Sequence, residues 1–491
     1  MMVNLSKSRI MAGLQCPKRL YLQVYNPDLA GELDQGSRLT LDQGREVGRL
    51  AQKMFPGGLL IETGDDLNLG KALELTREAV SMPHVPAVFE ATFQLDGILV
   101  RADILERRRN AEWRLIEVKS GTEVKEHYVY DVALQHFVLD ACGIKAAPAL
   151  MHLNREYVFD GNHYALEKLF CIEDLSREVA ALTKSVPELI QRLRRALAQA
   201  QPPEVEAGPQ CAKPVTCEFY DVCNKPLPDD HIARLPNLSP QKLEELKAMG
   251  VELIAQIPQT FPLTERQQHA CECVKTGSTW FGSGITERLA ELEYPIHFMD
   301  FETLMLALPR FAGMHPYDQL PFQWSVHVRR SPSAELEHYE FLAEIETDPR
   351  PLFTQSLCQT LGARGSIVVY NQAFESGRLS ELAGWLPQHA GTIAGIQGRL
   401  WDLLPVVRSG VYHPRFGGSY SLKSVLPALV PDLSYRGMLV AEGGEAGLAW
   451  ERIVRGNLAS DERNRLRAAL LAYCEQDTLA LARLLDVISR A

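Results

Sequence analysis

No stretch of the chain approaches the roughly 18 consecutive apolar residues that a membrane-spanning helix requires. An integral membrane protein built of helices is therefore not expected. The opening segment MMVNLSKSRIMAGLQC lacks the apolar core of about 7–15 residues that marks a secretory signal. The expectation is a cytoplasmic protein. Positive charge is also in short supply, with 51 Lys and Arg against 62 Asp and Glu and a formal net charge of −11. That argues against a binder relying on bulk positive charge. It leaves room for a nucleic-acid enzyme, which sets carboxylates on a metal beside local basic patches. Cysteine is sparse, 10 in 491 residues, too few for a disulfide scaffold of this size. In a reducing compartment, clustered cysteines point to metal before disulfide. No fixed-period repeat or low-complexity tract interrupts the chain.

What is present is an ordinary globular balance, 46% apolar and 23% charged. At roughly 150 residues per domain, the length suggests about three domains, or two large ones and a connector. Residues 1–85 read mostly helical, through LTLDQGREVGRLAQKMF and KALELTREAVSM. The period then changes, and VFEATFQ, ILVRADIL and WRLIEVKS read as three strands joined at LDG and ERRRNAE. VKEHYVYDVALQHFVLDAC returns to helix, ALMHLN to strand, and 163–200 to a long helix broken near Pro187. Residues 226–290 read as a Pro-punctuated helical connector. Within it, LKAMGVELIAQIP has the look of a small helix–turn–helix, for which a packing spacer is preferred over phosphate binding. From 291 onward, YPIHFMDFET, FQWSVHVRR, HYEFLAEI and GSIVVYNQ read as strands among helices, ending in the long helix DERNRLRAALLAYCEQDTLALARLLDVI. Alternating strands and helices make an α/β class.

Three constellations carry chemistry. In the first, Asp103 ends one strand (VRAD), while Glu117 and Lys119 (IEVKS) sit two apart on the next and so share a face. Two carboxylates suit a hard divalent cation. The lysine can stabilise a crowded phosphate or ease deprotonation of the attacking water. Glu90, on the preceding strand, could supply a further oxygen. In the second, CAKPVTCEFYDVC spaces Cys211, Cys217 and Cys223 as C-x5-C-x5-C, and Cys16 lies far upstream in LQCPKRLYL. Thiolates favour zinc or iron–sulfur clusters, and these spacings do not match the paired C-x2–4-C of zinc sites. Cys271 and Cys273 form a further, unassigned C-x-C. In the third, Asp300 and Glu302 (MDFET) share a strand face, Glu375 follows a later strand, and Tyr473 and Asp477 stand four apart on one helix face. Converging carboxylates repel one another unless cations intervene, and two divalent ions would neutralise them and activate water. Tyr473 could place that water or act as its base. Asp402 is an alternative or additional ligand, Lys423 a phosphate contact, and Phe301 and Trp324 candidates for base stacking or for the core.

The order Gly97…Asp103, then E-x-K at Glu117–Lys119, then Gln135 on a helix resembles the RecB-like branch of the PD-(D/E)XK nucleases. Leu139 stands where that branch commonly has Tyr, and Gly48 where many members have a metal-binding His. One cysteine before this core and three after it, with LSKSRI…CPKRLYL, resembles the iron staple of RecB-like nucleases, which implies a 4Fe–4S cluster on Cys16, Cys211, Cys217 and Cys223. The third constellation resembles the DEDDy 3′–5′ exonucleases of RNase H-like fold, with Glu375 in a place usually held by Asp. The layout as a whole resembles a bacterial family fusing a RecB-like, cysteine-bearing nuclease domain to a C-terminal RNase H-like domain of unknown function. The resemblance implies a restriction-endonuclease-like domain over 1–225 and an RNase H-like domain over 291–491. It implies a nuclease with two active sites, Mg²⁺ or Mn²⁺ as cofactor, and DNA ahead of RNA as partner. Its competitors are an RNA exonuclease using only the second site, a nucleic-acid-binding scaffold with a decayed first site, and a zinc-stapled structural protein.

Overall fold

The computed structural model describes residues 4–32, 35–62, 68–108, 112–224, 226–344 and 346–490. It is a mixed α/β chain whose Cα packing divides it into two units, Met1–Pro226 with Leu306–Asp318, and Leu227–Met305 with Gln319–Ala491. No helix among the described residues is long and apolar enough to cross a membrane.

The first unit is built on a seven-stranded sheet of β1 (Leu5–Ser6), β2 (Leu59–Leu60), β3 (Ala87–Leu95), β4 (Ile98–Arg107), β5 (Trp113–Lys119), β6 (Ala146–Leu153) and β7 (Phe170–Asp174), in the order β2-β3-β4-β5-β6-β7 with β1 beside β4. The three strands expected from the change of period are β3, β4 and β5. They pair antiparallel, and β3 turns into β4 at Asp96–Gly97, both left-handed with φ of 47° and 77°. Part of the expected ERRRNAE connection (109–111) lies outside the described residues. The helix Glu126–Ala141 links β5 to its parallel neighbour β6, burying Val132, Leu134, Val138 and Leu139 in the main core. The long helix expected over 163–200 is instead a short turn, the strand β7, and the helices Ser176–Thr183 and Val186–Leu197. Phe170 and Ile172 join an apolar cluster from the strand, and such short runs have no periodicity to separate strand from helix. Pro187 stands in the first turn of its helix, where a missing N–H costs nothing, rather than breaking one.

The second unit carries a five-stranded sheet of β9 (Ile296–Met305), β10 (Gln319–Arg329), β11 (Leu336–Leu342), β12 (Ile367–Val369) and β13 (Leu400–Asp402), ordered β11-β10-β9-β12-β13, with a small pair, β8 (Trp280–Phe281) and β14 (Val411–Tyr412), apart from it. β9, β10 and β11 form an antiparallel meander, and β12 and β13 continue in parallel. Met299 and Phe301 face one layer, with Phe353 and Leu379. Phe298 faces the other, with Leu481 and Leu485 of the helix Ser460–Ile488. The segment expected as a connector packs into this unit. Ile232, Leu246, Ile254 and Phe261 are buried in the same cluster as Phe298, so the helix–turn–helix segment is packing surface.

Gly365, just before β12, has φ of 85°, and a Cβ there would lie 1.9 Å from the Pro295 carbonyl oxygen. Both strain and collision forbid a side chain. Gly365→Ala should destabilise the second unit by at least about 2 kcal/mol, read as a lower urea midpoint of its unfolding transition.

Candidate active sites

In the first unit the pairing of β4 with β5 brings Asp103 beside Glu117 and Lys119, and all three line one open cleft of about 620 Å³ together with Glu90. The Asp103 carboxylate accepts the Val118 N–H at 2.7 Å. Lys119 Nζ donates to Glu117 Oε1 at 2.7 Å and to Asp131 Oδ2 at 2.8 Å. Gln135 Nε2 donates to Glu117 Oε2 at 2.6 Å and to Asp131 Oδ1 at 3.0 Å, so this glutamine orients carboxylates. Lys7 Nζ donates to Glu117 Oε1 at 2.7 Å and lies 3.3 Å from Asp131 Oδ1. Burial opposes charge on Glu117, but Lys119 and Lys7 outweigh it and hold the carboxyl below its ordinary range. Burial and the neighbouring Glu117 push Asp103 up to about 7.

The sequence reading missed Lys7 and Asp131. Asp131 was within reach of it, since it stands four residues before Gln135 on the same helix face. Lys7 was not, because 110 residues separate it from Glu117. Glu90 lines the cleft; its φ is 56° and its carboxylate pairs with Arg101 at 3.2 Å. Gly48 also lines the cleft, and a Cβ there would meet nothing within 4 Å, so the position is bare. Leu139 is fully buried, serving the core.

The four cysteines come together: Cys16, Cys211, Cys217 and Cys223 line one small pocket with Arg19, Leu22 and Phe219. Gln15 Nε2 donates to the carbonyls of Gln210 and Val215, and Arg19 pairs with Glu218 at 2.8 Å, which fastens the first helices to the cysteine loop. None of the ten cysteines is in a disulfide. Four soft donors around one void suit a thiolate-bound metal or cluster. Cys271 and Cys273 are separate, buried in an apolar cluster.

The second unit gathers the third constellation. Asp300 and Glu302 alternate with Met299 and Phe301 along β9, so they face the helix Ser460–Ile488, which presents Tyr473, Cys474 and Asp477. Ligand atoms of Asp300, Glu302 and Cys474 lie within 4.8 Å of one another. The helix is tied to β10 by Gln323 Nε2 to the Leu470 carbonyl at 2.7 Å and by Ser325 to Thr478 at 2.8 Å. Glu375 enters from the first turn of the helix Gln372–Trp385, and its Oε2 is buried without a hydrogen-bond partner. Burial, then Asp477, Glu302 and Glu375, raises Asp300 well above the carboxylate range. Burial and Asp477 push Glu302 up to about 8, burial pushes Glu375 up to about 8, and burial pushes Asp477 up to about 6.

Tyr435 donates to Asp477 Oδ1 at 2.5 Å, a partner the sequence reading missed because it comes from an irregular stretch. Lys423 Nζ stands 5.7 Å from the Tyr473 ring and 5.9 Å from the Tyr435 ring, and its charge favours ionised Glu302 and Asp477. Three alternatives narrow. Asp402 accepts the N–H groups of Asn371, Gln372 and Leu404 on its two oxygens, so it caps a helix and braces the turn before Glu375 rather than serving as a free ligand. Burial and the carboxylates raise the Tyr473 hydroxyl well above its ordinary range, which suits positioning and not a base. Phe301 and Trp324 are core residues, 3% and 2% exposed, and do not offer faces to bases.

The two carboxylate sites differ in charge. The first sets Asp103, Glu117 and Asp131 against Lys7 and Lys119, one negative charge in excess when all are ionised. The second sets Asp300, Glu302, Glu375 and Asp477 against Lys423 alone among the described residues, three in excess when all are ionised. The second therefore has the greater need of cations. Its carboxyls have folded pKa values above their unfolded ones, so their contribution to stability is full below about pH 4 and is lost as pH rises through 6 to 8. The melting temperature of the metal-free protein should fall between about pH 5.5 and pH 8.5, and Mn²⁺ should restore it mainly at the upper pH. Glu375→Gln should flatten that dependence, as read by calorimetry.

Residues 297–421 match the model of DUF2779, a domain of unknown function, and that stretch includes Asp300, Glu302 and Glu375. No curated protein matches the chain. Among solved structures, one titled "Crystal structure of SSO0001" is similar at 15% identity over 40% of this chain and 77% of that one, with a TM-score of 0.19, too low to bear on fold or function.

Proposed function

We propose that the chain is a metal-dependent nuclease whose main hydrolytic centre is the carboxylate cluster of the second unit. The observation carrying this reading is four converging carboxyls, three of them almost wholly buried, with Lys423 the one facing cation among the described residues and the Glu375 Oε2 atom unpartnered. Such a group is costly to bury unless divalent cations complete it. Asp300, Glu302, Glu375 and Asp477 would hold Mg²⁺ or Mn²⁺, which supplies an activated water and stabilises the leaving oxygen. Tyr435 fixes the Asp477 carboxylate, the Tyr473 hydroxyl lies against the same group, and Lys423 offers a charge to a phosphate. The meander followed by parallel strands supports an RNase H-like reading of this unit.

In the first unit, a PD-(D/E)XK reading is supported by the sharing of one cleft by Asp103, Glu117 and Lys119, with Gln135 on Glu117. Asp103 and Glu117 would hold one divalent ion, and Lys119 would face the scissile phosphate. The cysteine quartet would hold a 4Fe–4S cluster clamping the N-terminal helices to the loop after Pro209. A second reading, in which the first cleft binds nucleic acid without cutting it, draws on its near-neutral charge and on bare Gly48.

Anaerobically purified protein, given end-labelled single-stranded DNA or RNA with Mg²⁺ or Mn²⁺, should shorten DNA from its 3′ end. Asp300→Ala should lower that activity at least about a hundredfold, and Lys119→Ala should remove a distinct set of products. Equal ladders from wild type and both variants would refute the two assignments. The same preparation should show a broad absorption near about 400 nm that Cys217→Ser abolishes; a colourless, zinc-bearing protein would refute the cluster.

A further inference from the structure

Lys7 and Cys16 sit at opposite ends of one helix. Ser6 caps the helix Lys7–Gln15 by accepting the Arg9 N–H, and Cys16 closes it by donating its N–H to the Ala12 carbonyl. Nine residues at 1.5 Å each separate the two ends by about 13 Å. The helix is held firmly. A Cβ at Gly13 would lie 2.7 Å from Leu193, and Gln15 bonds the cysteine loop at the carbonyls of Gln210 and Val215. At the other end Lys7 is paired with both Glu117 and Asp131, neither more than 7% exposed. Asp103, Glu117 and Lys119 line the cleft, and Lys7 holds Glu117 from outside that lining.

Lys7 and Lys119 each contact both Glu117 and Asp131, so two cations offset two carboxylates and Asp103 is left without an ion-pair partner in this group. Without Lys7, Glu117 and Asp131 would share Lys119 alone, 2.7 and 2.8 Å away, and the balance that aims its ammonium would be lost.

We propose that Lys7 is a positioning residue of the first site, set on Glu117 and Asp131 by the helix whose other end carries Cys16. The cysteine quartet thereby acts on the first site through one rigid element. This rests on the nuclease reading of the first cleft.

The test uses full-length Asp300→Ala protein, which isolates the first site, with Mn²⁺ binding and single-turnover cleavage of single-stranded DNA measured together. Lys7→Met should still bind Mn²⁺ but cleave at least about tenfold more slowly, because small displacements of catalytic groups cost such factors. Lys7→Arg should retain more activity than Lys7→Met. Lys7→Met/Asp131→Asn, which restores the charge balance, should return to within about threefold of the parent. Removing the cysteine-bound metal with a chelator, then removing the chelator and restoring Mn²⁺, with the fold checked by circular dichroism, should slow the parent by the same factor and leave the rate of Lys7→Met unchanged. Should Lys7→Met fail to fold, the Lys7→Arg and double variants carry the comparison. An unaltered rate in Lys7→Met, no recovery in the double variant, or losses from chelation and Lys7→Met that multiply would overturn the proposal while leaving the nuclease reading intact. A parent protein that neither binds Mn²⁺ nor cleaves would refute the nuclease reading of this cleft, and the role of Lys7 with it.

Discussion

Like charges gathered out of water are the constraint on which the second unit turns. Asp300 and Glu302 are fixed on one face of β9 by the alternation of a strand, and Asp477 is fixed opposite by a helix bound to β10 at Leu470 and Thr478. None of the three can turn away to solvent. Proteins relieve such crowding by protonation or by a cation, and burial raises all three carboxyls, with repulsion from Asp477 adding to it at Asp300 and Glu302. The structure commits apolar packing on both sheet faces to hold this arrangement, with Phe298 beneath one side and Met299 and Phe301 beneath the other.

The first unit solves a similar problem differently. Its carboxyls are balanced by Lys7 and Lys119 and by the Gln135 amide, so Glu117 is held below its ordinary range while burial and Glu117 raise Asp103 and Asp131. The balance draws on elements distant in sequence. The N-terminal helix brings Lys7, the β4–β5 hairpin brings Asp103, Glu117 and Lys119, and the following helix brings Asp131 and Gln135. The helix that delivers Lys7 is fastened at its other end to the cysteine loop. A cluster there would be a structural element with a catalytic consequence.

Much of this was legible in the sequence because strand and helix periods are local. E-V-K on a strand and Y-x3-D on a helix each place two side chains on one face whatever the rest of the chain does. β3, β4, β5, β9, β10 and the C-terminal helix followed from the same logic. What escaped had no local signature. Lys7 meets Glu117 across 110 residues, and Tyr435 reaches Asp477 across 42. β7 hid inside a helical pattern because five residues carry too little periodicity to announce a strand. Asp402 had the right residue type, but its oxygens serve three backbone N–H groups, which a sequence does not reveal.

The central claim is that the second unit's carboxylates form a site for a pair of divalent cations. Electron paramagnetic resonance of the full-length protein titrated with Mn²⁺ at neutral pH tests it most directly. The account predicts two Mn²⁺ ions close enough for their spins to couple, with the coupled signal lost in Asp477→Asn and kept in Lys119→Ala. Uncoupled Mn²⁺ alone, or a coupled signal that survives Asp477→Asn, would contradict it.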